Sequence, residues 1–219
     1  MQIAPRTNAA VSADVVIFTI YEGRLSVLLV RRVTAPYAGL WCLPGGLLDE
    51  GEALDDCAQR VLLEKTGIQG VYLEQLYTFG QPGRDPRGRV LSVAYYALVP
   101  YDRLHVRGGV ERLDWFPEDE LPPLAFDHRQ IVGAARRRLV GKLEYSTIAL
   151  QFMPEEFTLS SLQGVYETIL GERLDKRNFR KRLQALNCLE DTGKRYSGGK
   201  HRPARLYRAK SPGEVRIIK

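Results

Sequence analysis

Residues 46–68 read GLLDEGEALDDCAQRVLLEKTGI, and this stretch decides the fold. Within it, Leu54, Ala58, Val61 and Leu62 recur at helical spacing, which predicts a helix over Ala53–Thr66 with one packing face. Gly67 stops that helix as a C-terminal glycine. Leu43-Pro44-Gly45-Gly46 stands before it and reads as a turn. Upstream, Asp14–Ile20 (DVVIFTI) is a buried-strand pattern, Glu22–Gly23 a hairpin turn and Leu25–Arg31 the partner strand. Downstream, Val71–Phe79 and Val90–Val99 read as strands around a polar loop, Gly80–Arg89. Arg112–Phe116 reads as a short strand before a turn at Pro117. A further helix is expected over His128–Gly141, on Ile131, Ala134, Ala135, Leu139 and Val140. Strands alternating with two helices imply a mixed sheet between helices.

The same stretch resembles the Nudix box, G-x5-E-x7-R-E-U-x-E-E-x-G-U, where U is aliphatic. Gly46, Glu52, Arg60, Leu62, Glu64, Gly67 and Ile68 stand at the matching positions. Two glutamates of the box are absent: Val61 stands at one position and Lys65 at the other. In Nudix hydrolases that helix face carries three carboxylates at i, i+3 and i+4, a set suited to hard cations such as Mg²⁺. Here the face carries Val61, Glu64 and Lys65. Valine has no lone pair, and a lysine repels a cation by about 4 kcal/mol per charge pair at ~4 Å and an effective dielectric of ~20. The resemblance therefore implies a Nudix-like fold with no catalytic residues and no metal or other cofactor, while Lys65 remains suited to a diphosphate. Rescue of metal binding by Asp49, Glu50, Asp55 or Asp56 is the opposing reading. It would make the chain an active hydrolase of ADP-ribose-like nucleoside diphosphate sugars with an accessory nucleic-acid-binding domain.

Charge divides the chain. Residues 154–219 carry 15 Lys and Arg against 8 Asp and Glu, whereas residues 1–153 carry 17 against 18. A neutral body with a basic tail suits a polyanion partner for the tail. No run of 18 apolar residues argues for a membrane span, and the N-terminus lacks the pattern of a secretory signal. Three widely spaced cysteines (Cys42, Cys57, Cys188) fit buried thiols in a reducing cytoplasm.

After a junction at Tyr145–Pro154 the pattern becomes compact and helical. Thr158 is the expected N-cap for a helix to Leu170, ended by Gly171. Asp175 caps Lys176–Leu186, in which Phe179, Leu183 and Leu186 share one face and Arg177, Arg180, Lys181 and Gln184 the other. Leu189–Tyr196 and Ala204–Arg208 read as a hairpin with a basic tip. Two helices and a hairpin look like a winged helix, whose second helix enters the major groove. Lys176, Arg177, Asn178, Arg180, Lys181 and Gln184 are the expected groove contacts. Lys200, His201 and Arg202, with Lys194 and Arg195, are the expected wing contacts. Binding of RNA or of a protein partner, in a non-catalytic RNA-binding or scaffold protein, is the competing reading of this basic region.

Tyr77-Thr78-Phe79-Gly80 followed by Arg84-Asp85-Pro86-Arg87-Gly88-Arg89 resembles a segment of ADP-ribose-recognising Nudix proteins. Arginine forks match phosphate oxygens. The expected effector residues are Gly45, Gly46, Glu64, Lys65, Tyr77, Arg84, Arg87 and Arg89. From Val15 to Arg208 the chain resembles the Nudix-related transcriptional regulators of NAD metabolism, NrtR. The pieces that carry this are the degenerate box, Arg84–Arg89 with Ser92–Tyr96 (SVAYY), and Leu174–Lys181 (LDKRNFRK). The resemblance implies an α/β Nudix-like sandwich over residues 1–148 followed by a C-terminal winged helix-turn-helix over 149–219. It further implies a cytoplasmic homodimeric repressor of bacterial NAD-metabolism genes, bound to a palindromic double-stranded operator and released by ADP-ribose.

Overall fold

The computed structural model describes residues 8–103, 112–196 and 203–218. Its centre is a seven-stranded sheet. β1 (Ala10–Tyr21) lies parallel to β6 (Val90–Leu98) on one edge, and β5 (Tyr72–Phe79) follows antiparallel to β6. The other edge of β1 is shared. Phe18–Tyr21 pair with β2 (Arg24–Arg31), and Ser12–Asp14 pair with β4 (Gly45–Leu47). β2 also pairs with β3 (Trp41–Cys42) and with β7 (Leu113–Pro117). Glu22 and Gly23 both have positive φ (48° and 75°), the geometry of a two-residue turn that matches strand twist.

β1 reads as a continuous apolar run because both of its faces are covered. Ala13, Val15 and Ile17 pack with Cys57, Ala58, Val61 and Leu62 of α1 (Leu54–Thr66). Val16 and Phe18 pack on the opposite side with Ile131, Val132, Ala135 and Leu139 of α2 (His128–Tyr145). α1 starts after Ala53 and ends on Gly67 in the left-handed conformation, with the Gly67 N–H donating to the Leu63 carbonyl. Asp55 and Asp56 lie in its first turn and Lys65 in its last, each favourable for the helix dipole.

Three sequence expectations change. Gly45 and Gly46 are not a turn but the start of β4, because a strand there satisfies the backbone of β1 beyond the reach of β2. α2 runs past Gly141 to Tyr145, because Leu143 continues its buried face. Pro117 ends β7, paired with Ser26, as an edge strand tolerates. The three cysteines are buried and form no disulfide, and no helix among the described residues is long and apolar enough to cross a membrane.

The junction folds into a 3-10 turn, Ile148–Phe152, whose Ile148, Ala149 and Phe152 join the core. α3 (Leu159–Leu170) begins with a capping box: Thr158 Oγ1 accepts from the Ser161 N–H, and Ser161 Oγ accepts from the Thr158 N–H. Asp175 caps α4 (Lys176–Leu186) by accepting from the Asn178 N–H. β8 (Leu189–Tyr196) and β9 (Ala204–Ala209) form the wing. Phe157 adds a short bridge to Tyr207 on β9. Leu162, Val165, Tyr166, Ile169, Phe179 and Leu183 belong to the same buried cluster as the α2 face of the sheet, so the helical segment is packed onto the sandwich.

Candidate functional site: a cationic cavity and an outward basic helix

Asp14 organises the first site. It is an acid within the apolar strand β1 and is 6% exposed, so it has to be paired. Ser92 Oγ on β6 donates to it. The Arg84 guanidinium approaches to 3.7 Å and His128 Nε2 to 3.8 Å. Arg84 directs its fork at Asp127, with Nε and Nη2 at 3.0 and 2.6 Å. His128 Nδ1 accepts the Leu43 N–H at 2.9 Å, which leaves Nε2 carrying the proton towards Asp14. Gly45 lies against this cluster: a Cβ there would stand 2.0 Å from Asp14 Oδ1. Gly46 lies against Val61, whose Cγ2 would be 2.9 Å from an added Cβ.

A cavity of about 170 Å³ opens above these groups. Gly45, Gly46, Lys65, Arg84 and Arg87 line it, so the loop of arginines, the β4 backbone and the end of α1 converge. Arg32 and Phe126 also line it and were not anticipated from the sequence. Phe126 has φ 55°, a strained value for an aromatic residue. Two guanidinium groups lie over its ring, Arg32 at 4.9 Å and Arg87 at 5.7 Å from the centroid. Arg87 also pairs with Asp85 at 2.6 Å. The signals for these residues were weak: Arg31-Arg32 closes a strand, and Phe126 looks like a helix start.

The other expected effector residues lie elsewhere. Arg89 Nη1 donates to the Gly80 carbonyl at 2.6 Å and closes the base of its own loop. Tyr77 is exposed on β5, edge-to-face with Phe79. Glu64 is 58% exposed in its side chain and lies 3.5 Å from Arg60. Arg60 is the fastener of the box: it binds Glu52 with both Nε and Nη2 at 2.7 Å and the Leu47 carbonyl at 3.0 Å. The Arg60 guanidinium holds the Glu52 carboxyl down at about 2.

These residues do not fit a divalent cation. Val61 is buried in the core against Gly46, Lys65 lines the cavity, and Glu64 leans on Arg60. Among the described residues no group of three His, Cys, Asp or Glu side chains is arranged to hold a metal ion. The arginine, lysine and backbone groups of the cavity are suited to recognising an anion.

Burial holds the His128 imidazole below its ordinary value, with Arg84 and Arg32 acting in the same direction and Asp14 and Asp127 opposing. The folded state therefore binds fewer protons than the unfolded chain. Its stability is full above the unfolded value of about 6.5 and declines as pH falls below it, by at most about 1.4 kcal/mol per pH unit for this one group. Urea unfolding at pH 7.5, 6.5 and 5.5 is expected to show this slope, reduced in a His128→Gln variant. Equal slopes in both proteins would remove His128 as its source.

The second site is the outer face of α4. Lys176, Arg177, Arg180, Lys181 and Gln184 line one shallow groove along the helix, and all are exposed. Phe179 and Leu183 anchor the opposite face, Phe179 edge-to-face with Tyr166. Asn178 is exposed but lies beside the groove rather than in it. In the wing, Lys194 is paired with Glu156 at 2.6 Å and Arg205 with Asp191 at 3.0 Å. Lys200, His201 and Arg202 lie outside the described residues.

This architecture has known counterparts. Residues 11–135 match the NUDIX domain and residues 149–209 the NrtR DNA-binding winged helix domain. The ADPR responsive transcriptional repressor NtrR of Acinetobacter baylyi is 39% identical over 202 residues, covering 90% of this chain and 80% of the relative. The crystal structure of Shewanella oneidensis NrtR complexed with a 27mer DNA superposes with a TM-score of 0.83 at 39% identity, over 91% of this chain and 93% of that one. The NUDIX domain of the same protein, complexed with ADP ribose, gives 0.56 at 40% identity, over 61% of this chain and 90% of that one. A sheet domain of this kind carrying this winged helix, matched over nine-tenths of its length, places the chain in the NrtR family.

Proposed function

We propose that this chain is a transcriptional repressor that leaves its DNA operator when ADP-ribose enters the cavity beside Asp14. The observation that carries the reading is the outer face of α4, a groove of four cations and one amide with its apolar side sealed into the core. Such a stripe suits phosphate and guanine contacts in a major groove. The similarity to a repressor named as ADPR responsive, and to relatives crystallised with DNA and with ADP ribose, supports both ligands.

The cavity, at about 170 Å³, is smaller than the roughly 300–1,000 Å³ of most ligand pockets. It therefore takes part of a nucleotide sugar, with the remainder over the rim. Arg32, Lys65 and Arg87 are the cations around it, suited to a diphosphate. Arg84 acts beneath them as a support. The same set argues for a binder without hydrolase activity, because Val61 and Lys65 occupy the positions of metal-binding glutamates. The chain works as a cytoplasmic homodimer on a palindromic operator of NAD-metabolism genes. Residues 1–148 form the effector half and 149–219 the DNA-binding half.

The test combines two measurements on the purified protein. ADP-ribose without metal is expected to release a duplex selected by the protein from a random pool. ADP-ribose with Mg²⁺ or Mn²⁺ is expected to remain intact. Metal-dependent AMP release near the ~10 s⁻¹ typical of enzymes would overturn the non-enzymatic reading. A clear thermal shift with another metabolite and none with ADP-ribose would replace the effector.

A further inference from the structure

α2 touches both sites. At its beginning, Asp127 takes the Arg84 fork and His128 faces Asp14 in the cavity wall. At its end, the carbonyls of Leu143 and Glu144 both accept from Arg182 Nη2 at 2.8 Å. Arg182 is on α4, on the side away from the basic groove, and its guanidinium lies 5.8 Å from the Tyr166 ring. The last carbonyls of a helix have no partners within it and carry its partial negative charge, so an arginine is well suited to hold them. A second arginine makes the reciprocal contact: Arg136 of α2 donates from Nη1 to the Ile169 carbonyl in the last turn of α3 at 2.7 Å. Between the two ends, Arg138 and Lys142 fasten α2 to Glu74 on β5. With 18 residues, α2 spans about 27 Å at the ordinary rise per residue. It is a single stiff element with the ligand cavity at one end and the recognition helix at the other.

We propose that Arg182 is a positioning residue: it fixes α4 to the end of α2, so that movement of α2 on filling the cavity turns the recognition helix out of register with DNA. The inference rests on the repressor reading above. A residue that only supports the winged helix would change DNA affinity equally with and without effector. A coupling residue changes the ratio of the two, and that ratio is the coupling.

The experiment measures the dissociation constant for a selected duplex with and without saturating ADP-ribose, in wild type, Arg182→Gln and Arg182→Lys. ADP-ribose affinity of the DNA-free proteins is measured by calorimetry. Wild type is expected to weaken at least fivefold with ADP-ribose, within the range of about 5–150-fold usual for allosteric pairs. Arg182→Gln is expected to weaken less than twofold, with its ADP-ribose affinity within twofold of wild type, and Arg182→Lys to fall between. If Arg182→Gln does not fold, the Arg182→Lys ratio decides alone. An Arg182→Gln ratio within twofold of the wild-type ratio overturns the inference while leaving the repressor reading intact. A wild type that ignores ADP-ribose fails one step earlier and takes the inference with it.

Discussion

Replacing Arg84 with methionine is expected to lower the free energy of unfolding by about 3–5 kcal/mol, the usual cost of breaking a buried ion pair from one side. The Arg84 side chain is only 4% exposed, and Asp14 and Asp127 are 9% and 11% exposed. Methionine fills most of the volume but leaves two carboxylates without their cation. For a chain of this length each kcal/mol moves the melting temperature by about 2–4 °C, so a fall of roughly 6–20 °C should be seen by calorimetry. Adding Asp127→Asn should recover part of the loss, since it removes one of the stranded charges. The opposite result is informative: a loss below about 1 kcal/mol, with much weaker ADP-ribose binding, would make Arg84 a ligand contact rather than a support.

Changing Arg177 and Arg180 together to alanine is expected to cost about 2–6 kcal/mol of operator affinity, at roughly 1–3 kcal/mol for each bidentate base contact. If either arginine instead meets phosphate, the loss is shared by all sequences and the salt slope falls by about 0.9 for each contact removed. Anisotropy titrations on selected and scrambled duplexes at several salt concentrations separate these outcomes. Asn178→Ala should cost less than either arginine, because Asn178 lies beside the groove. An Asn178→Ala loss larger than that of the double arginine variant would mean that α4 meets DNA on a different face.

The physical reason that parts of the fold could be read in advance is that they depend on local rules. The box helix is set by Leu54, Ala58, Val61 and Leu62 at helical spacing and by a glycine that tolerates the left-handed C-cap. The helix-turn-helix is set by Thr158 and Asp175, whose side chains satisfy backbone N–H groups that any helix start leaves open. Gly45-Gly46 was legible as glycine but not as strand, because its partner is the far end of β1, some thirty residues earlier. The cavity was half legible. Lys65, Arg84 and Arg87 come from conspicuous stretches and do line it. Arg32, Asp14 and the Phe126–His128 stretch come from three separate places, and only folding brings them together.

By itself, then, the sequence determined the two element patterns, the lost carboxylates of the box and the basic stripe of α4, since each follows from side-chain identity at a fixed spacing along one helix or strand. Tertiary structure alone decided where each arginine is held. Arg84 is drawn inward by Asp127, Arg89 by the Gly80 carbonyl and Arg182 by the end of α2, while Arg32, held by the Pro36 carbonyl, and Arg87, held by Asp85, stay at the cavity over Phe126. A guanidinium reads the same in every sequence. What it does depends on which buried carboxylate or carbonyl lies within about 3 Å, and those partners stand up to 43 residues away along the chain.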